Sequence, residues 1–170
     1  GGGSTELALG SGVHPALMES VNMGCVSYTN LYLNSGQTIT AATMKQAMIQ
    51  AQLELQPLTV AYKQYGWDEV VGCSGTIKVA ARMLAELAIT DGTITRDGLR
   101  QLARLIISEG SAAALKLTCI SPSRSQVIAG GIVVLRAIMS TLDITHIHAS
   151  QVALREGLIF EMLGKAEHLD

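Results

Sequence analysis

The run Gly1-Gly2-Gly3-Ser4-Thr5-Glu6-Leu7-Ala8-Leu9 decides how the rest of the chain is read. Consecutive glycines followed by two hydroxyls and a carboxylate make a loop whose backbone N–H groups can cradle phosphate oxygens. Gly-Gly-Gly-Ser is also the composition of a flexible linker. The next residues speak against a linker. Thr5, Leu7 and Leu9 fall on one face and Ser4, Glu6 and Ala8 on the other, the period-two pattern of a strand. The loop lacks both the Gly-Lys-Ser/Thr of a nucleotide P-loop and the G-x-G-x-x-G of a dinucleotide fold, so alone it is a weak signal. A loop of this kind normally joins two strands. A strand is therefore expected in front of Gly1, and the chain reads as a piece of something longer.

Working outward, Ser4 to Leu9 and Ala16 to Met23 flank Gly10-Ser11-Gly12 and predict a β-hairpin. Gly24 breaks the second strand, and Cys25 to Leu33 reads as a short helix. From about Thr40, Met44, Met48, Ala51, Leu55, Leu58, Tyr62 and Tyr65 form one apolar stripe, a long helix with a kink expected at Pro57. Gly66 ends it. Glu69 to Cys73 is expected to be a buried strand centred on Val70 and Val71. Gly72-Cys73-Ser74-Gly75-Thr76 turns into a helix with Ile77, Ala80, Ala81, Leu84 and Leu87 on one face. Thr95 caps a helix carrying Leu99, Leu102 and Ile106. Ser108 to Ser125 reads as irregular surface loop with a short turn. Gln126 to Leu142 is apolar nearly all round, broken by Gly130-Gly131 and Arg136, and reads as a helix buried in the domain. His146 to Ser150 is a last strand, and a closing helix starts at Ala153-Leu154-Arg155-Glu156-Gly157. A hairpin followed by strands alternating with helices predicts an α/β protein, a mixed β-sheet covered by helices.

The 170 residues fit one domain, 1–170, with enough chain for a substantial core. With 48% hydrophobic but only 4% aromatic residues, that core is aliphatic, with seven methionines as gap-fillers. A formal charge of −2 excludes a polycation that holds nucleic acid by counterion release. A polyanionic ligand would have to be gripped locally, by amides, a few cations or a metal. No apolar run approaches a membrane span. Cys25, Cys73 and Cys119 are odd in number and far apart, which predicts reduced thiols in a cytoplasmic protein. His146 and His148 would share a strand face, without the further ligands a metal site needs.

The Gly72–Thr76 turn places Ser74 and Thr76 where the N–H groups and positive end of a helix attract anions. Taken alone, it reads first as a capped helix start with glycines for tight packing. Arg155-Glu156 reads as a buried pair or as a group aimed at a ligand. The combination is more specific than its parts. Gly1-Gly2-Gly3-Ser4-Thr5-Glu6-Leu7, Met23-Gly24-Cys25-Val26-Ser27, Gly66-Trp67, Gly72-Cys73-Ser74-Gly75-Thr76-Ile77-Lys78 and Ala153-Leu154-Arg155-Glu156-Gly157 occur in one order.

That order resembles the exopolyphosphatase and guanosine pentaphosphate phosphohydrolase family over essentially the whole chain. The resemblance implies the second domain of an actin-like (ribonuclease H-like) ATPase fold. The first domain, with its own phosphate loop and a catalytic glutamate, would lie elsewhere in the parent enzyme. It further implies that Gly1, Gly2, Gly3, Ser4 and Thr5 hold terminal phosphates, joined by Ser74, Gly75 and Thr76. Glu6 would coordinate Mg²⁺ or another divalent cation, or position water; its alternative is a solvent-facing strand residue. The implied substrates are inorganic polyphosphate or guanosine pentaphosphate, the polyphosphate branch being the nearer; the alternative of another class is a non-catalytic phosphate-binding or regulatory module with an actin-like domain. A homodimeric parent and an inactive isolated chain complete the expectation. Gly1–Thr5 and Gly72–Thr76 are expected at one edge of the sheet, open to one cleft.

Overall fold

The computed structural model describes residues 1–12, 14–33 and 37–150. β1 (Thr5–Ser11) and β2 (His14–Val21) form the hairpin. The strands run through Gly10 and Ser11, further than the alternation suggests, because the register slips between Leu9 and Gly10. A Cβ at Gly10 would lie 2.3 Å from the His14 carbonyl oxygen, so only glycine admits this crossing. Leu7, Leu9 and Leu17 pack on the core, and Glu6 and Ala8 face outward.

α1 (Cys25–Tyr28) continues as a π-helical turn over Thr29–Leu33. α2 (Ala41–Tyr65) is capped by Thr40, whose side chain accepts from the Thr43 N–H, and it runs through Pro57 without a break. Met44, Ala51, Leu55 and Tyr62 are buried as the stripe predicts, with Ala47 beside them. Tyr65 departs from it and is 54% exposed, because the helix end projects past the core. The Tyr62 hydroxyl donates to the Leu7 carbonyl at 2.8 Å and ties α2 to the hairpin.

β3 is only Val71–Gly72, and Val71 is exposed. A Cβ at Gly72 would stand 2.0 Å from Ile77 Cδ1, so the strand closes at once onto α3 (Gly75–Glu86). β4 (Ile94–Thr95) has no counterpart in the sequence reading, being too short to show a period. α4 (Arg96–Glu109) starts at the Thr95 cap, with Leu99, Leu102 and Ile106 fully buried. Each such side chain contributes about 1.5–3 kcal/mol by leaving water. The stretch read as irregular contains a 3₁₀ turn at Ala113–Leu115 and α5 (Pro122–Ser125).

α6 (Ile128–Thr141) is the central helix, buried from Ile128 through Leu135 and packed against α1, α2, α3 and α4. β5 (His146–Ala149) pairs in parallel with β3 and antiparallel with β4. Among the described residues the strands thus form two sheets, the hairpin and a mixed three-stranded sheet of order β3-β5-β4. No described helix is long and apolar enough to cross a membrane. The closing helix expected at Ala153–Gly157, with Arg155 and Glu156, lies outside the described residues.

Candidate phosphate-binding site

The first loop is built by its carbonyls. The Gly1 oxygen accepts from the Cys25 N–H at 3.1 Å, and the Gly2 oxygen accepts from Val26 at 2.9 Å and Ser27 at 3.1 Å. The free N–H groups of the first turn of α1 are therefore satisfied by the glycine loop. Every peptide bond in the described residues is trans, so the N–H that follows each of these carbonyls points the opposite way. The amides of Gly2 and Gly3 consequently face away from α1. A Cβ at Gly24 would stand 2.4 Å from both the carbonyl carbon and the oxygen of Gly2. The glycine in Met23-Gly24-Cys25 is required by this backbone-on-backbone approach.

The two hydroxyls after the glycines have local partners. Ser4 Oγ donates to Glu6 Oε1 at 2.6 Å, and Thr5 Oγ1 donates to the Met23 carbonyl at 2.5 Å. A hydroxyl has one proton to give, so both donors are committed within the fold. Ser20 Oγ also donates to Glu6 Oε1, at 3.4 Å. The Ser4 hydroxyl, with that of Ser20, holds the Glu6 carboxyl below the usual carboxylate range, so this exposed group stays ionised. Among the described residues no three His, Cys, Asp or Glu side chains converge to cage a metal. Glu6 offers one ionised carboxylate, and Mg²⁺ is held by one or two carboxylates together with waters and substrate phosphates.

At the second loop Ser74 Oγ accepts from the Ile77 N–H at 3.2 Å, so Ser74 is the N-cap of α3. The guanidinium of Arg124 lies over Gly75, with Nη2 2.9 Å from where a Cβ would be. A cation thus stands beside the positive end of a helix, in a notch that glycine leaves open. The reading of 108–125 as loop missed it. Its available signal was Ser121-Pro122, the start of a helix with proline in the first turn. The segment before α5 is held by Glu86, whose Oε1 accepts from Thr118 N–H at 2.6 Å and whose Oε2 accepts from Cys119 N–H at 2.9 Å.

The two loops belong to different sheets, which corrects the expectation of one shared sheet edge. They are brought together by α1 and α6. A Cβ at Gly130 would stand 2.5 Å from the Cys25 carbonyl oxygen, and one at Gly131 would stand 2.3 Å from Thr76 Cγ2. The glycine pair lets α1, capped by the first loop, and the start of α3 both close on α6. His146 and His148 lie edge to face with ring centroids 5.2 Å apart.

The described residues thus form an α/β fold in which two glycine-hydroxyl loops close on one buried helix. Residues 1–166 match the Ppx/GppA phosphatase family, and the chain belongs to it. It is 34% identical over 173 residues to a guanosine-5'-triphosphate,3'-diphosphate pyrophosphatase of Aeromonas hydrophila, covering 100% of this chain and 34% of that protein. It is 32% identical over 162 residues to a Haemophilus influenzae protein provisionally named an exopolyphosphatase, covering 95% of this chain and 50% of the relative. The chain therefore spans a third to a half of the curated relatives it matches. Among solved structures, the Aquifex aeolicus Ppx/GppA protein superposes with a TM-score of 0.79 at 21% identity, covering 98% of this chain and 55% of that one. An exopolyphosphatase from Cytophaga hutchinsonii gives 0.79 at 17% identity, covering 97% and 55%. These likenesses establish the actin-like fold.

Proposed function

We propose that this chain is the substrate-binding half, the second actin-like domain, of a metal-dependent cytoplasmic exopolyphosphatase that releases terminal phosphate from inorganic polyphosphate. The observation that carries the reading is the orientation of the first loop: its carbonyls are consumed by α1, which turns the Gly2 and Gly3 amides outward. Those amides hold the terminal phosphate, and Arg124 with the N-terminus of α3 neutralises the next. Ser4 and Thr5 shape the loop, Ser4 by orienting Glu6. Glu6 would help hold a Mg²⁺ ion, which would supply positive charge to offset that of the transferred group. The water-orienting glutamate belongs to the first domain of the parent, a homodimer in this reading.

Hydrolysis of guanosine pentaphosphate is the second reading, favoured by relatives named for that activity at 34% identity. Both release phosphate from a phosphoanhydride and use the same loop.

Glu6→Gln in the full-length enzyme tests the assignment. Turnover on polyphosphate falls by roughly two orders of magnitude, the usual cost of losing one preorganised electrostatic group. Polyphosphate binding changes far less, since the amides remain. A variant with normal turnover at low Mg²⁺ removes Glu6 from the mechanism. The isolated 170 residues show little or no phosphate release, and efficient turnover by them alone sinks the division into halves.

A further inference from the structure

Away from the glycine loops, a cavity of about 270 Å³ opens between α2, α4 and α6, lined by Met48, Arg96, Arg100, Arg136, Met139 and Ser140. Arg136 interrupts a helix that is otherwise apolar or small over Ile128–Met139. Gly131 and Arg136 are five residues apart, which puts Arg136 about 7.5 Å further along α6 and roughly 140° around it. The cavity is therefore on another face of α6 from the one that closes on the loops.

The cavity gathers positive charge in a chain whose formal net charge is −2. Arg96, Arg100 and Arg104 recur at every fourth residue of α4, one row on its surface, and like charges so spaced repel. Two of the cations are partly answered. Arg96 pairs with Asp143 at 3.2 Å and donates its Nε–H to the Ile144 carbonyl at 2.8 Å, and Arg100 pairs with Asp97. Both acids are themselves well exposed. Arg136 is half-buried and has no acidic or hydrogen-bonding partner among the described residues. Burial, with Arg100 and Arg104 nearby, opposes its positive charge. That guanidinium lines the cavity together with those of Arg96 and Arg100.

We infer that the cavity between α2, α4 and α6 is a second anion site, binding a segment of condensed inorganic phosphate through the guanidiniums of Arg136, Arg100 and Arg96. Planar guanidiniums match phosphate oxygens two bonds at a time. Arg96 is pre-positioned by its bond to the Ile144 carbonyl. The function proposed above makes inorganic polyphosphate, rather than the pyrophosphate group of a nucleotide, the ligand expected here; none of the described residues that line the cavity is aromatic. The choice of phosphate among anions rests on the function proposed above; the anion site rests on the arginines.

The test titrates sodium tripolyphosphate into the 170-residue chain at low ionic strength. Binding is followed by calorimetry and by the side-chain Nε–H resonance of Arg136. Saturable movement of that resonance is expected, with guanosine 5'-diphosphate at least several-fold weaker. Arg136→Met weakens this binding at least tenfold, and Arg136→Lys, which keeps charge but not the fork, weakens it less. Without anion, Arg136→Met unfolds at the same temperature or higher, since an apolar side chain suits this helix. If tripolyphosphate moves the Gly2 and Gly3 amides while Arg136 is untouched, the second site is refuted and the loop reading stands. If Arg136 responds and those amides do not, the loop reading fails and the second site stands. Tighter binding of guanosine diphosphate at Arg136 overturns the inorganic assignment.

Discussion

Cys25 and Thr76 meet over Gly131: a Cβ there would lie 3.3 Å from the Cys25 Cβ and 2.3 Å from Thr76 Cγ2. Cys25 is bonded through its N–H to the first glycine loop, and Thr76 opens the helix that follows the second. One missing side chain on α6 thus sets the distance between the two candidate phosphate loops.

Gly131→Ala forces that contact apart. Alanine gains up to about 1 kcal/mol in helix propensity, but overpacking costs about 1–3 kcal/mol, so net destabilisation is expected in urea unfolding. Thr76→Ser removes the offending methyl. The double variant recovers most of the loss, and a double-mutant cycle with no coupling between the two positions contradicts the shared contact.

Ser4→Ala removes the strongest hydrogen bond to the Glu6 carboxylate. Its pKa then rises toward the ordinary value, leaving the Ser20 hydroxyl as the remaining side-chain donor. A carbon-detected titration of the Glu6 carboxyl reads the change. An unchanged titration means that Ser4 does not set this group's charge.

The clasp made by Glu86 is pH-dependent. Hydrogen bonds from the Thr118 backbone and from Cys119 depress the Glu86 pKa to about 2. A carboxyl depressed on folding stabilises the native state above its unfolded pKa, and the contribution fades as pH falls through the folded one. Stability therefore declines between roughly pH 4.5 and 2 on this account. Glu86→Gln flattens that part of the urea-unfolding profile and loosens the segment leading to Arg124. Identical profiles for variant and parent remove Glu86 from the acid response.

Arg124→Gln leaves the fold intact, because the side chain is on the surface. Tripolyphosphate binding at the glycine loops weakens by roughly tenfold, the scale of one charge-assisted hydrogen bond. Movement of the Gly75 amide on titration locates the effect. A variant that binds as tightly as the parent makes Arg124 a bystander.

Periodicity in the sequence was sufficient for the hairpin, for the stripe of α2 from Met44 to Tyr62, for the Thr95 cap and for the buried α6, because each pattern is local. The ordered motifs from Gly1-Gly2-Gly3 onward were enough to place the chain in its family. Three things were decided only in the folded chain. β3 and β4 are two residues each, too short for a period, and exist because β5 pairs with both. The use of Gly24, Gly130 and Gly131 appears only where another backbone or side chain comes against them, since a glycine in a sequence does not say what approaches it. Arg124 reaches Gly75 from almost fifty residues away, and Arg136 meets the Arg96–Arg104 row, through tertiary packing. Charge acts across space, and no spacing along the chain encodes which guanidiniums will face the same anion.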